Sequence, residues 1–150
     1  MLNRTETFTR TAILTFSIGE QRYALLIEDV IEVAPMVEVM KVAEARLELL
    51  GMVNRHGTVL PLLDLRLILG LPAASIDMTT LFIVATDGEH PLGLVVDEIH
   101  QVEYIDSSQL SETTATGKFI RGIISNKAEL VQIIDPTPLL ATYLSGLPTG

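Results

Sequence analysis

The chain of 150 residues is 48% apolar and contains no cysteine, so it can bury a globular core but excludes disulfides, thiolate catalysis and Cys-based metal sites. Its net charge of -9 is uneven, with seven Lys/Arg against nine Asp/Glu in residues 1–75 and three against ten in residues 76–150. That balance disfavours nucleic-acid binding, which draws on clustered cations, and the acidic second half reads either as a solubilising surface or as one that meets a basic partner. Leu14-Thr15-Phe16-Ser17-Ile18 alternates with the period of a strand, Gly19-Glu20 makes a turn, and Tyr23 to Ile27 is apolar enough for burial on both faces, which predicts a hairpin. Val30 and Val33 then stand three apart, as on one helical turn, Val37 to Met40 reads as a short strand, and Ala43 to Leu50 is rich in helix formers.

A second hairpin runs from Gly51-Met52-Val53 through a turn at Asn54-Arg55-His56-Gly57 to Thr58–Leu63, with Pro61 marking an edge or a bulge because it cannot donate to a ladder. Leu65 to Leu69 predicts one helical turn, and Pro72-Ala73-Ala74-Ser75 a boundary. Leu81–Ala85 with Leu92–Val96 and Phe119–Ile124 with Leu130–Ile134 predict two further hairpins. Ser107 to Gly117 is the most loop-like stretch, Leu139 to Leu144 a closing helix, and Ser145 to Gly150 a frayed end. No apolar run reaches the roughly 20 residues of a membrane span and Met1 to Glu6 lack a signal-peptide core, so a soluble, cytoplasmic protein is expected.

The chain also repeats itself. Gly19–Val33 returns 69 positions later as Gly88–Val102, and Gly51–Asp64 returns 71 positions later as Gly122–Asp135. Either one unit is used twice, or two strand-turn-strand pieces share a β pattern. The first reading divides the chain into one half at about 12–72 and another at about 76–136, with the C-terminal segment packing back. Halves of about 70 residues are marginal alone and should lean on each other.

Chemical motifs are scarce. There is no phosphate-binding glycine loop, nucleophile elbow or paired-His zinc motif. Asp97-Glu98-Ile99-His100 could supply two metal ligands, but its repeat counterpart, Glu28-Asp29-Val30-Ile31, has no His, and solvated surface explains it better. A small hydrolase using His56 or Asp64 is a remote alternative, because opposite ends of a hairpin seldom bring such groups together. No catalytic residue, cofactor or metal site is therefore expected.

Gly51-Met52-Val53-Asn54-Arg55-His56-Gly57-Thr58-Val59-Leu60-Pro61-Leu62-Leu63-Asp64-Leu65 resembles the signature of the CheW-like family: Gly, two apolar residues, Asn, any residue, Arg, Gly, three residues, Pro, two apolar residues, Asp, Leu. Phe16 through Tyr23-Ala24 to Val30-x-x-Val33, and Leu92 to Asp97, are also similar to that family, and the resemblance spans roughly residues 12 to 140. It implies an all-β fold of two SH3-like five-stranded barrels around a shared apolar core. It implies a scaffold rather than a catalyst, an adaptor that couples chemoreceptors to the regulatory domain of a CheA-type histidine kinase. That domain is itself CheW-like, so kinase and adaptor can alternate in rings, recruited to membrane-associated receptor arrays. A regulator that binds the kinase without a receptor, and so sequesters or inhibits it, is the alternative within the family.

The resemblance further implies that receptor helix tips dock in an apolar groove between the barrels, here drawing on Leu14, Ile27, Val30 and Val33, with Ile99 and Val102 added by the repeat. Each of these six is equally readable as core. Kinase contacts are implied at the outer ends of both barrels, without assignment to residues. The family usually places Arg where this chain has His56, and that Arg pairs with a Glu matching Glu32; here the pair would be weaker and pH-dependent unless Arg55 substitutes. Val39–Ala45 also lacks the prolines the family often carries, a hint either of a chemosensory pathway other than flagellar swimming or of drift.

Overall fold

A computed structural model of the chain describes residues 10–112, 117–126 and 129–144. The chain's first six residues and Ser145 to Gly150, read above as leaderless and frayed, lie outside them, as does part of the loop-like stretch before Gly117.

Eleven strands and two short helices follow one another: β1 (Arg10–Ile18), β2 (Gln21–Leu26), β3 (Val30–Pro35), β4 (Leu49–Arg55), β5 (Thr58–Asp64), α1 (Leu65–Ile68), β6 (Leu81–Thr86), β7 (Pro91–Val95), β8 (Glu98–Asp106), β9 (Leu110–Glu112), β10 (Ile120–Asn126), β11 (Glu129–Ile134) and α2 (Pro136–Leu144). They form a five-stranded sheet in the order β3-β6-β7-β5-β4 and a six-stranded sheet in the order β8-β1-β2-β11-β10-β9. Each sheet closes on itself through one bent run of chain. β8 and β9 are continuous through a 3-10 turn at Ser107–Gln109, and β9 pairs with β10 at the far end of the sheet. The chain beyond β3 likewise returns to β4, where Met40 and Met52 exchange backbone hydrogen bonds of 2.8 Å each way. The result is two five-stranded barrels, which leave few open ladder edges.

The strands are not shared out as the halves 12–72 and 76–136 would have it. One barrel, the central one, is built from β3 to β7, residues 30–95, while the terminal barrel combines β1 and β2 with β8 to β11 from the other end of the chain. A repeat fixes what each strand pairs with in type but not in copy, because either half offers a similar partner. The chain takes the crossed solution, with the same register twice. Leu14 and Phe16 of β1 face Val102 and Ile99 of β8, and their repeat counterparts Ile83 and Ala85 of β6 face Val33 and Val30 of β3. Ile133 beside Ala24 in the parallel β11–β2 pairing likewise matches Leu62 beside Gly93 in β5–β7.

Both first hairpins are buried on both faces, and the sheet pairing shows why. Ile13, Ala24 and Leu26 fill the terminal barrel with Ile105, Ile124, Val131 and Ile133. Phe82, Val84 and Val95 fill the central barrel with Ala34, Met36, Val53, Leu60 and Leu62. The alternate residues Leu14, Phe16, Ile18, Ile83, Ala85, Leu92 and Leu94 meet between the barrels in a third core of 18 buried residues, more than lie inside either barrel among the described residues. α2 packs onto it through Leu139, Leu140 and Tyr143, and the Tyr143 hydroxyl donates to Glu48 Oε1 at 3.0 Å.

Four local expectations are corrected: Val37–Met40 makes only the single Met40–Met52 bridge rather than a strand, the loop-like Ser107–Gly117 stretch begins with a 3-10 turn and strand β9 because it pairs with β10, and two readings of helix fail. Val30 and Val33 belong to strand β3, not to a helical turn; only Ile27–Asp29 winds into a 3-10 turn, and a bulge between Val30 and Glu32 imitates helical spacing by keeping both valines on one face. Ala43–Leu50 is no helix, since Glu44 takes φ 58 and the chain turns to let Glu48 O accept from Asp64 N at 2.8 Å. Tertiary pairing there overrides helix propensity. Pro61 sits on β5, an interior strand, one residue before the pairing with β7 begins at Leu62.

Candidate functional site

The signature stretch Gly51–Leu65 is construction rather than chemistry. At Gly51, with φ 151, a Cβ would come within 2.4 Å of Met40 O, because the barrel-closing segment crosses there; at Gly122, its repeat counterpart, a Cβ would lie 2.7 Å from Ser111 O. His56 and Gly57 take φ 55 and 86, the two positive values of a type I′ hairpin loop, and Asn54 Oδ1 fastens it by accepting from Gly57 N at 3.0 Å. Asp64 is 1% exposed and caps α1: its Oδ1 accepts from Arg66 N at 3.0 Å and Leu67 N at 3.4 Å, and its Oδ2 from Ala74 N at 3.0 Å. Both carboxylate oxygens are thus used by backbone.

That disposes of the His56 and Asp64 pairing. The two residues flank opposite ends of β5, a separation of roughly 20 Å at strand rise, and His56 is turned to solvent. The Asp97-Glu98-Ile99-His100 cluster is likewise engaged elsewhere. Asp97 Oδ2 accepts from Gly19 N at 2.6 Å and from the Arg66 guanidinium, whose Nε also donates to Pro72 O at 2.8 Å. It ties the β1–β2 turn to α1. No group of three His, Asp or Glu placed to hold a metal ion occurs among the described residues.

Five of the six expected groove residues lie on the two crossed strand pairs, and Ile27 lies on the 3-10 turn after β2. Residues directly opposite across an antiparallel pair share a face, so Val33 follows Ile83, and Val102 follows Leu14, onto the face that lines the shared core. Leu14 is itself core at 6% exposure, whereas Val30 and Ile99 are half-buried against that core. Val33, Val102 and Ile27 are exposed at 40%, 47% and 38%. An apolar rim therefore stands where the shared core reaches solvent. The bulge opposite Leu14 and Phe16 is held by Thr15, whose buried hydroxyl donates to Gln101 O at 3.0 Å and accepts from Gln101 N at 3.4 Å.

Glu32, Arg55 and His56 do come together. Arg55 Nη2 donates to Glu32 Oε1 at 2.8 Å, and His56 Nε2 lies 3.2 Å from Glu32 Oε2. Arg55 occupies the pairing role, and His56 adds a second, more exposed partner. The hydrogen bond from Arg55, then its charge, hold the Glu32 carboxyl below the ordinary carboxylate value despite partial desolvation.

A second apolar surface escaped the sequence reading. Val37, Met40, Met52, Val53 and Val59, with Glu38 and Asn54, line a groove of about 450 Å³ on the central barrel, and Met40 and Val59 are 63% and 54% exposed. The strand pattern of Val37–Met40 pointed to the region, but only the Met40–Met52 pairing shows which flank stays open. Among the described residues no helix is long and apolar enough to cross a membrane.

Comparison with known proteins gives the same answer from outside. A family profile described as CheW-like domain matches residues 12–143. The chain is 25% identical to a chemotaxis protein CheW of Klebsiella aerogenes over 86% of this chain and 81% of that one. It is 27% identical to a chemotaxis protein CheW of Thermotoga maritima over 82% and 83%. The crystal structure of the scaffolding protein TtCheW from Thermoanaerobacter tengcongensis superposes with a TM-score of 0.77 at 27% identity, covering 85% of this chain and 90% of that one. The profile match over most of the chain, the crossed two-barrel fold and the structural use of Gly51, Asn54, Gly57 and Asp64 agree: the chain belongs to the CheW-like domain family.

Proposed function

We propose that this chain is a non-catalytic chemotaxis adaptor that couples chemoreceptors to a CheA-type histidine kinase. The observation that carries this reading is the apolar rim of Val33 and Val102, opposite the core residues Ile83 and Leu14 between the barrels, on a chain whose relatives are chemotaxis and scaffolding proteins. The family resemblance implies that receptors present helix tips, and a groove rimmed by Val takes an amphipathic helix by burying its apolar anchors. The kinase's regulatory domain then meets the central barrel, where the Met40–Val59 groove adjoins Asn54 and the Glu32–Arg55–His56 cluster. The adaptor works in the cytoplasm at receptor arrays, by holding partners in fixed geometry.

The test is Val33→Asp with Val102→Asp, measuring receptor and kinase binding separately. Coupling predicts loss of receptor binding of at least about tenfold, the scale of desolvating a charge in an apolar contact, with kinase binding kept. A wild-type chain that binds the kinase but never the receptor sinks the coupling reading in favour of a kinase-sequestering regulator.

A further inference from the structure

The crossing of strands has a consequence for association. Divide the chain at the segment 70–80: besides the closures at β9–β10 and Met40–Met52, which lie within one half each, the pairings β1–β8, β2–β11, β3–β6 and β5–β7 that each barrel needs join a strand before it to a strand after it. Within residues 10–69 only the β1–β2 and β4–β5 hairpins form, besides the Met40–Met52 bridge, so β1, β2, β3 and β5 each keep one ladder edge that only the other half can satisfy. Buried backbone groups on such edges cannot be left unpaired. The complementing half need not come from the same copy. The joining segment allows either, because from Leu71 to Thr80 it has no helix or strand. It is tacked down at Ala74 N to Asp64 Oδ2, at Pro72 O to Arg66, and at Thr80 O to Met36 N by 2.9 Å. At up to about 3.5 Å per residue its length spans roughly 35 Å, ample for an extended link between two bodies.

We propose that this chain also forms an exchanged dimer, in which residues 10–69 of one copy complete residues 81–144 of a second copy. Each of the two resulting bodies has both barrels, the shared core and one apolar rim, so the dimer presents two complete binding units on one covalently continuous pair of links. The partner is a second copy of this chain, recognised by the register of Leu14 on Val102 and Ile83 on Val33 rather than by any surface patch. The intramolecular form dominates in dilute solution because a flexible link supplies an effective concentration on the order of 1 mM. Crowding copies together, or shortening the link, favours exchange.

The absence of cysteine makes the test clean. Ala12 and Tyr104 lie directly opposite across β1–β8, and strand neighbours are close enough for a disulfide, so the full chain carrying Ala12→Cys and Tyr104→Cys crosslinks within one copy when closed and between copies when exchanged. The protein is refolded at dilute and at about 1 mM concentration, oxidised, and read on a denaturing, non-reducing gel, with Ala12→Cys alone reporting surface-to-surface crosslinks. A disulfide-linked dimer that grows at least about fivefold with concentration, and again on deletion of residues 75–78, is the expected result. Monomer crosslinked only within itself at every concentration overturns the proposal, as does a dimer by size whose disulfides are all internal. Should the deletion variant fail to fold, the concentration series on the full-length chain decides alone.

Discussion

Leu14 lies directly opposite Val102 on neighbouring strands, yet one is core at 6% exposure and the other stands at the rim at 47%. The same face of one sheet thus runs from packing to presentation within a single cross-strand pair. Leu14→Ala is expected to cost about 2–5 kcal/mol, by lost transfer energy plus a cavity, and Val102→Ala under about 1 kcal/mol. Urea unfolding with unchanged slope measures both. Equal losses at the two sites would mean that Val102 is core and no rim exists.

Gly51 and Gly57 both take positive φ, but only Gly51 has backbone in the way of a side chain. Gly51→Ala is expected to prevent the barrel from closing or to destabilise it by roughly 3 kcal/mol or more, through overpacking against Met40 O as well as backbone strain. Gly57→Ala, with nothing within 4 Å of the added Cβ, should lose only about 1 kcal/mol. Thermal melts of the two variants, run side by side, rank them.

Asp64→Ala removes a buried cap that serves α1 and Ala74 N together. A loss of about 1–3 kcal/mol is expected, since one orphaned helix end and one part-buried N–H add. Amide exchange at Ala74 should rise with it, and protection there left unchanged would show that Asp64 does not hold the joining segment.

Glu32 gives the acid limb of stability a specific contributor. Its carboxyl is held below the ordinary value, chiefly by the hydrogen bond from Arg55 and with His56 adding, so its stabilisation is complete above the unfolded carboxylate range of about 4.3 and is lost as pH falls through the lower folded value. The melting temperature of the wild type should stay above that of Glu32→Gln down to about pH 5 and converge on it below about 4. A difference that persists undiminished at pH 2 would place the effect in packing, not charge.

The sequence displayed its hairpins plainly, because Leu14 to Ile18 alternates, Tyr23 to Leu26 and Leu92 to Val96 run apolar as strands buried on both faces do, and Asn54-x-x-Gly57 admits few other turns. It displayed the barrels through resemblance. What it concealed has one physical origin: interactions between residues far apart in the chain. Val30-x-x-Val33 looked helical because a bulge and a helical turn both bring residues three apart to one face, and only the Ala85 and Ile83 partners distinguish them. Ala43–Leu50 favoured a helix locally and lost to Glu48 O accepting from Asp64 N. The allocation of strands to barrels was invisible because the two halves, being alike, offer each edge two equivalent mates. The rim residues were named from sequence, but their grading from Leu14 through Val30 to Val33 required burial, which periodicity does not give.

The largest apolar cluster lies between the barrels rather than within them, and that decides how the molecule responds to force. Prying the barrels apart would wet more packed side chain than uncovering the core inside either one, so the angle between the barrels is held by the larger of the cores. An adaptor built this way is a set square: a partner's position on one barrel is reproduced as a direction at the other.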